Sequence, residues 1–332
     1  MRALILAPFE QTSLERLRGV ADVVYESWLE TNRLQDPDEL GARLAREHID
    51  VLVVEADFVF EEVFEAAPDL RLVGVCRNAL NQVDLEAAAV HGVAVTHAPG
   101  RNTNAVAEMT LALMLALSRR IVSAHGLVSG GGWRDPAAGY RQFRGREIGG
   151  STIGVVGFGQ IGREVARKCI ALGASVLAYD PLVPAAHMRE LHVEPASLSD
   201  VARASDFVTL HVPETEATHR LVDASLLSQL KADAYLVNTS GGSVIDVNAL
   251  VRALETHQIA GAACDVFEGH PLPASSPLMS APNLLLTPHI GGATAETIAR
   301  HSMMLTDEVE RFAAGEPLRY AVVQAADATR AG

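Results

Sequence analysis

The chain has 332 residues, 48% of them apolar and 20% charged, a composition that excludes a disordered or fibrous protein and a length that implies two domains rather than one. A formal net charge of −14, from 41 acidic against 27 basic residues with no Lys/Arg-rich run, excludes a nucleic-acid partner. Cys76, Cys169 and Cys264 are far apart, odd in number and without metal-ligand spacing, which excludes a disulfide framework and a zinc site and points to a reducing compartment, the cytoplasm.

In chain order, the first apolar run ends at Pro8, too short for a signal peptide or membrane span, and reads as a strand, Ala3–Leu6. Asp36-Pro37 opens a helix by cap and first-turn chemistry. Strands follow at Val51–Val54, Leu72–Val75 and Val93–Thr96. The apolar stretch Ala105–Leu117 is shorter than a membrane span and carries Glu108, so it reads as a buried helix and no membrane partner is expected. Gly126–Gly150, rich in Gly and Arg, has no clear period and reads as a connection or arm. Strands resume at Thr152–Val156, Ser175–Tyr179, Phe207–His211, Ala234–Asn238, Gly261–Asp265 and Leu284–Thr287, with helices over Gly162–Leu172 and Asp246–Thr256. Disorder is confined, at most, to the tail after Pro317. Alternating strands and helices predict an α/β protein with parallel sheets covered by helices. The unbroken run from Thr152 forms a nucleotide-binding domain in mid-chain, leaving both ends for a second one.

Gly157-Phe-Gly159-Gln160-Ile161-Gly162 follows a strand and opens a helix. The first glycine permits a tight turn, the second lets backbone approach a pyrophosphate, and the third lets helix pack on strand; the helix N-terminus then faces the phosphates. The next strand ends in Asp180, where a carboxylate accepts from ribose hydroxyls and repels a 2′-phosphate, so the expected cofactor is NAD rather than NADP. Reducing a ketone by hydride transfer also requires a proton donor, and histidine titrates near working pH. His289, between Pro288 and the Gly291-Gly292 pair after the last strand, is the candidate acid/base.

Nearly the whole chain resembles the D-isomer-specific 2-hydroxyacid dehydrogenase family. The likeness rests on Val83-Asp84-Leu85, Ala98-Pro99-Gly100-Arg101-Asn102-Thr103 with Val106-Ala107-Glu108, the glycine motif, Leu210-His211-Val212-Pro213, Asn238-Thr239, Asp265-Val266-Phe267 and Thr287-Pro288-His289-Ile290-Gly291-Gly292. It implies two doubly wound parallel-sheet domains: a Rossmann cofactor domain, 99–287, inserted in a discontinuous flavodoxin-like substrate domain, 1–98 and 288–332. It also implies a cleft between them crossed by helices near Asn102–Ser118 and Gly292–Ala313, and a homodimer joined through the cofactor domains. By the same resemblance His211 and Pro213 flank the adenine, Thr103 and Thr239 lie near the cofactor, and Asp265 bonds the nicotinamide amide.

Three departures mark the substrate side. The family's carboxylate-clamping Arg is replaced by Gly241, which supplies no guanidinium fork. A family Glu that would stabilise the imidazolium is replaced by His270, which pairs with His289 only by a hydrogen bond or by like-charge repulsion. The loop Cys76-Arg77-Asn78-Ala79-Leu80-Asn81 carries larger side chains than the family's glycine-rich one, so Arg77 and Asn78 become candidate substrate contacts, with Arg101 a second cation and Arg141 or Arg144 weaker ones. The expected function is an NAD-dependent oxidoreductase moving a hydride to or from the CH–OH/C=O group of a small polar substrate. His289 is its acid/base, and its anion clamp is non-standard. The alternatives are a catalytically inactive NAD-binding regulator and an NAD-retaining isomerase.

Overall fold

A computed structural model describes residues 1–324. Among them the strands are β1 (Arg2–Ile5), β2 (Asp22–Tyr25), β3 (Val51–Val54), β4 (Leu72–Val75), β5 (Ala94–His97), β6 (Thr152–Val156), β7 (Ser175–Tyr179), β8 (Glu194–Pro195), β9 (Phe207–Leu210), β10 (Tyr235–Asn238), β11 (Gly261–Cys264), β12 (Leu284–Leu286) and β13 (Ala321–Val323). The chain divides into two compact units, one from Met1–Arg101 with the residues from Ala293 onward, the other Asn102–Gly292.

The first unit holds a sheet in the order β13-β5-β4-β3-β1-β2, parallel throughout except for β13, which runs antiparallel to β5. Without β13 this is the flavodoxin-like winding. β3 shows why the strands read as continuous apolar runs: all four of its residues are buried, because helices cover both faces. Alternation sends Leu52 and Val54 to one apolar layer with Leu4, Leu40 and Leu44, and Val51 and Val53 to the other with Ile5, Leu14 and Leu305. The helix Pro37–Glu47 starts as its sequence dictates, with Asp36 accepting from the Asp38 and Glu39 amides.

The helix Ala295–Ala313 completes this unit. Gly74 in β4 leaves it room, since a Cβ there would lie 2.3 Å from Cδ1 of Leu305. Buried Glu308 accepts hydrogen bonds from Thr96 Oγ1 at 2.9 Å and from the Arg319 and Tyr320 amides at 3.1 Å. These contacts tie the returning chain to β5 and correct the expectation of a disordered tail over 318–324, where β13 forms; the rest of that tail lies outside the described residues.

The second unit holds a sheet in the order β12-β11-β10-β9-β6-β7-β8, all parallel. Its order reverses between β6 and β9, the switch point at which open α/β sheets bind ligands beyond the carboxyl ends of their strands. One face is covered by the helices Thr103–Ser118 and Gln160–Ala171, through Leu113, Met114 and Val165. The other is covered by Leu198–Ala204, Ala224–Leu227 and Val247–Glu255, through Val201, Leu226 and Leu250. Part of the irregular arm is helical instead, over Ile121–Ser129 and Pro136–Gln142, with Asp135 capping the second. Among the described residues no helix is long and apolar enough to cross a membrane.

Candidate active site

The glycine turn after β6 is built as its chemistry requires. Gly157 has φ +92°, and a Cβ there would lie 2.5 Å from the His211 carbonyl oxygen, so only glycine fits. A Cβ on Gly162 would lie 2.1 Å from the Gly157 carbonyl oxygen, which is the close packing of helix on turn. Gly159 caps the helix Gln160–Ala171 without a side-chain acceptor, and a Cβ there would meet nothing within 4 Å. The first-turn N–H groups of Gln160, Ile161 and Gly162 therefore stand at an open N-terminus suited to phosphate oxygens.

The Asp180 carboxylate accepts from the Phe158 amide at 2.7 Å and the Leu182 amide at 2.9 Å, which fixes it beside the turn and leaves lone pairs for a ribose. An open groove of about 420 Å³ lies next to this helix, lined by Thr103, Gln160, Arg163, His187 and Leu191. Thr103 Oγ1 donates to Gln160 Oε1 at 3.3 Å.

The loops after β9, β10, β11 and β12 continue this edge of the sheet. His211 is kept neutral, burial pushing its imidazole down to about 3, and its Nε2 lies 3.0 Å from Thr209 Oγ1. The Thr239 hydroxyl is 3.0 Å from that of Thr110, whose own proton goes to the Val106 carbonyl, so Thr239 is the donor in this pair. That commits the Thr239 hydroxyl proton to the helix Thr103–Ser118. Pro213 is exposed and opens the segment that reaches Glu214.

Asp265, 1% exposed, holds the catalytic candidate in place. Its Oδ1 accepts from Thr287 Oγ1 at 2.5 Å and the Ile290 amide at 2.9 Å, and its Oδ2 from the Gly291 amide at 2.7 Å. Residues on both sides of His289 are thus pinned to one buried carboxylate. His289 itself is exposed, has φ +56°, and places Nδ1 3.1 Å from Nε2 of His270. Left-handed backbone at a non-glycine residue costs about 1–3 kcal/mol, and three hydrogen bonds from its neighbours offset that strain. A Cβ on Gly291 would lie 2.9 Å from Asp265 Oδ2, the physical reason for glycine there.

The first unit separates the two candidate cations. Arg101 Nη1 lies 2.6 Å from Glu55 Oε1 and 2.7 Å from His301 Nδ1. Because arginine only donates, His301 accepts through Nδ1 and donates from Nε2 to the Pro8 carbonyl at 2.7 Å. Burial pushes this imidazole down to about 4. Arg101, expected as a second cation for the substrate, is 9% exposed and paired with Glu55.

Arg77 is different. Among the described residues it forms no ion pair, its buried Nε has no hydrogen-bond partner, and burial holds its guanidinium below the usual arginine range. Glu55, which faces both arginines electrostatically, is already paired with Arg101. Asn78 is exposed, with its carbonyl oxygen 3.0 Å from His97 Nδ1. Arg141 is exposed and bridges to Asp135, and the exposed Arg144 side chain forms no hydrogen bond or ion pair among the described residues.

Glu214, which carries no signal in the sequence, stands against Gly241. Gly241 is extended, φ −153° and ψ 147°, and a Cβ there would lie 2.2 Å from Cγ and 2.9 Å from Oε1 of Glu214. Among the described residues no group of three His, Cys, Asp or Glu side chains could hold a metal ion.

A doubly wound sheet with this turn, this acid and a histidine loop at its carboxyl edge defines a dinucleotide-dependent oxidoreductase. The family described as D-isomer specific 2-hydroxyacid dehydrogenase, NAD binding domain, matches residues 111–291. A glyoxylate reductase of Korarchaeum cryptofilum is 39% identical over 260 residues, 78% of this chain and 78% of that one. A glyoxylate reductase of Thermofilum pendens is 36% identical over 298 residues, 87% of this chain and 85% of that one. The structure of a 2-hydroxyacid dehydrogenase from Ketogulonicigenium vulgare superimposes with a TM-score of 0.82 at 30% identity, covering 98% of this chain and 99% of that one. The chain belongs to the D-isomer-specific 2-hydroxyacid dehydrogenase family, and it is an NAD-dependent oxidoreductase acting on CH–OH donors.

Proposed function

We propose that this enzyme interconverts a 2-hydroxy acid and its 2-oxo acid, with His289 as the catalytic acid/base and Arg77 as the cation for the substrate's anionic group. The observation that carries the reading is the pinning of the His289 loop by buried Asp265, with His270 against the other ring nitrogen. Bound NADH supplies the hydride for reduction, and NAD⁺ accepts it in the reverse direction. When the His289 imidazolium donates Nδ1–H to His270 Nε2, its Nε2–H is the proton delivered to the substrate oxygen as the carbonyl becomes CH–OH. After transfer the Nδ1–H bond persists, so the neutral ring is already oriented to take the proton back. A neutral imidazole partner thus fixes orientation in both charge states without adding a negative charge.

Arg77 fits an anion because a half-desolvated guanidinium with an unpartnered Nε gains a charge-assisted hydrogen bond on binding one. Asn78 flanks it on the same loop. On the cofactor side, Gly157, Gly159, Gln160, Ile161 and Gly162 present backbone to the pyrophosphate, Asp180 takes the ribose and disfavours NADP, and His211 and Pro213 border the adenine. Thr103 and Thr239 line the remainder, and Asp265 keeps one lone pair of Oδ2 for an amide. Exposed Ile121, Val122, Val128, Trp133 and Tyr140 on the arm support a homodimer, and three buried free thiols support a cytoplasmic setting; sedimentation of the purified protein tests the first.

The deciding experiment is NADH oxidation with a panel of 2-oxo acids, repeated with His289→Ala. That variant loses about 10²–10⁴-fold in kcat while NADH affinity is retained. Turnover within a few-fold of native would transfer the role to His270 or to water.

A further inference from the structure

The loops after β6, β9, β10, β11 and β12 touch in succession. Gly157 meets the His211 carbonyl, Gly241 meets Glu214, Gly242 meets the Phe267–Glu268 peptide, and His270 meets His289. Glu214 and Gly241 are therefore links in one contiguous edge that runs from the dinucleotide turn to the acid/base histidine.

At the centre of this edge the space that a side chain on residue 241 would take is filled by a carboxylate. Glu214 Oε1 accepts from the Ser243 amide at 2.8 Å and from Ser243 Oγ at 2.7 Å, which holds the side chain against Gly241. Its Oε2 has no hydrogen-bond partner, and the residue forms no ion pair, among the described residues. The extended backbone of Gly241 does not call for glycine, so the missing side chain is accounted for by the room Glu214 occupies. On the other side, a Cβ on Gly242 would lie 1.9 Å from the Phe267 carbonyl carbon, so the β10 loop is wedged between Glu214 and the loop after β11 that carries His270.

We infer that Glu214 is a specificity-determining residue. The subsite at Gly241 takes a hydrogen-bond donor instead of an anion, and the substrate is a 2-oxo or 2-hydroxy acid that also carries a hydroxyl group. A carboxylate held at this point repels a second carboxylate and accepts from a hydroxyl, and a charged acceptor makes the stronger bond. The inference rests on the dehydrogenase reading above, with the acid's own charge met by Arg77.

Hydroxypyruvate and pyruvate differ only in the hydroxyl, so the ratio of their kcat/KM values in NADH-dependent reduction isolates this contact. The native enzyme prefers hydroxypyruvate. Glu214→Gln keeps the shape and the Ser243 bonds but loses the charge, and the ratio falls about tenfold. Gly241→Ala displaces the Glu214 side chain and lowers the ratio in the same direction. Circular dichroism and NADH affinity stay native in both. A native enzyme that reduces pyruvate as well as hydroxypyruvate, or reduces neither, or a ratio unchanged in the two variants, overturns the inference. The dehydrogenase reading falls separately, if NADH is oxidised with no acid in the wider panel or if His289→Ala is fully active.

Discussion

The loops after β6 and β10 each place glycine at a strand end where most residues would carry a side chain, and they do so for opposite reasons. At Gly157 the backbone itself demands it, with φ +92° and the His211 carbonyl oxygen, from the loop after β9, 2.5 Å from any Cβ. At Gly241 the backbone is ordinary, and the space is taken by a side chain from the neighbouring loop. The first glycine reports on geometry needed by every dinucleotide fold; the second reports on a choice about the substrate. A glycine substitution has to be read through what stands where its Cβ would be.

Gly157→Ala tests the demanding case and has the largest expected effect. The added methyl forces the turn away from His211, so the Kd for NADH, titrated by its fluorescence, rises by up to about 150-fold and the melting temperature falls, in keeping with strain of about 1–3 kcal/mol. Native affinity would show that the turn accommodates a side chain. The permissive case implies that the anion contact has left the β10 loop, which Arg77→Met sharpens. kcat/KM for the acid should fall about 10–100-fold, the worth of a charge-assisted hydrogen bond, with NADH affinity intact. Undiminished kcat/KM would place the cation elsewhere. Smallest is the stability effect of Gly241→Ala. The extended backbone accepts alanine and exposed Glu214 can swing away, so urea unfolding should shift by no more than about 0.5 kcal/mol even as the substrate ratio changes.

The central strands were legible because a strand buried on both faces is a bounded aliphatic run, as in Val51–Val54 and Thr152–Val156. β2, Asp22–Tyr25, was not, because an edge strand with an exposed Asp and half-buried neighbours lacks that signature. The arm helices Ile121–Ser129 and Pro136–Gln142 have no buried residues, so no apolar stripe marked them. In the site, Gly157, Asp180 and His289 announce themselves through local spacing. The difference between Arg77 and Arg101 does not, since it depends on Glu55 at the end of another strand, which pairs with one arginine and leaves the other. Glu214 was invisible for the same reason: its contact with Gly241 exists only because β9 and β10 are neighbours in the sheet.

The first unit depends on chain made last. Leu305 and Val309 are fully buried against the layer of Ile5, Val51 and Val53, and Glu308 ties the returning chain to β5. On the ribosome, the opening hundred residues emerge without that cover and wait while the whole inserted unit is synthesised, roughly 10–40 seconds at about 5–20 residues per second. During that interval one face of a parallel sheet is covered only in part, by the helix Gln11–Arg18, which makes the amino-terminal segment, first to be made and last to be finished, the client for which a holding chaperone would matter most in the biogenesis of this enzyme.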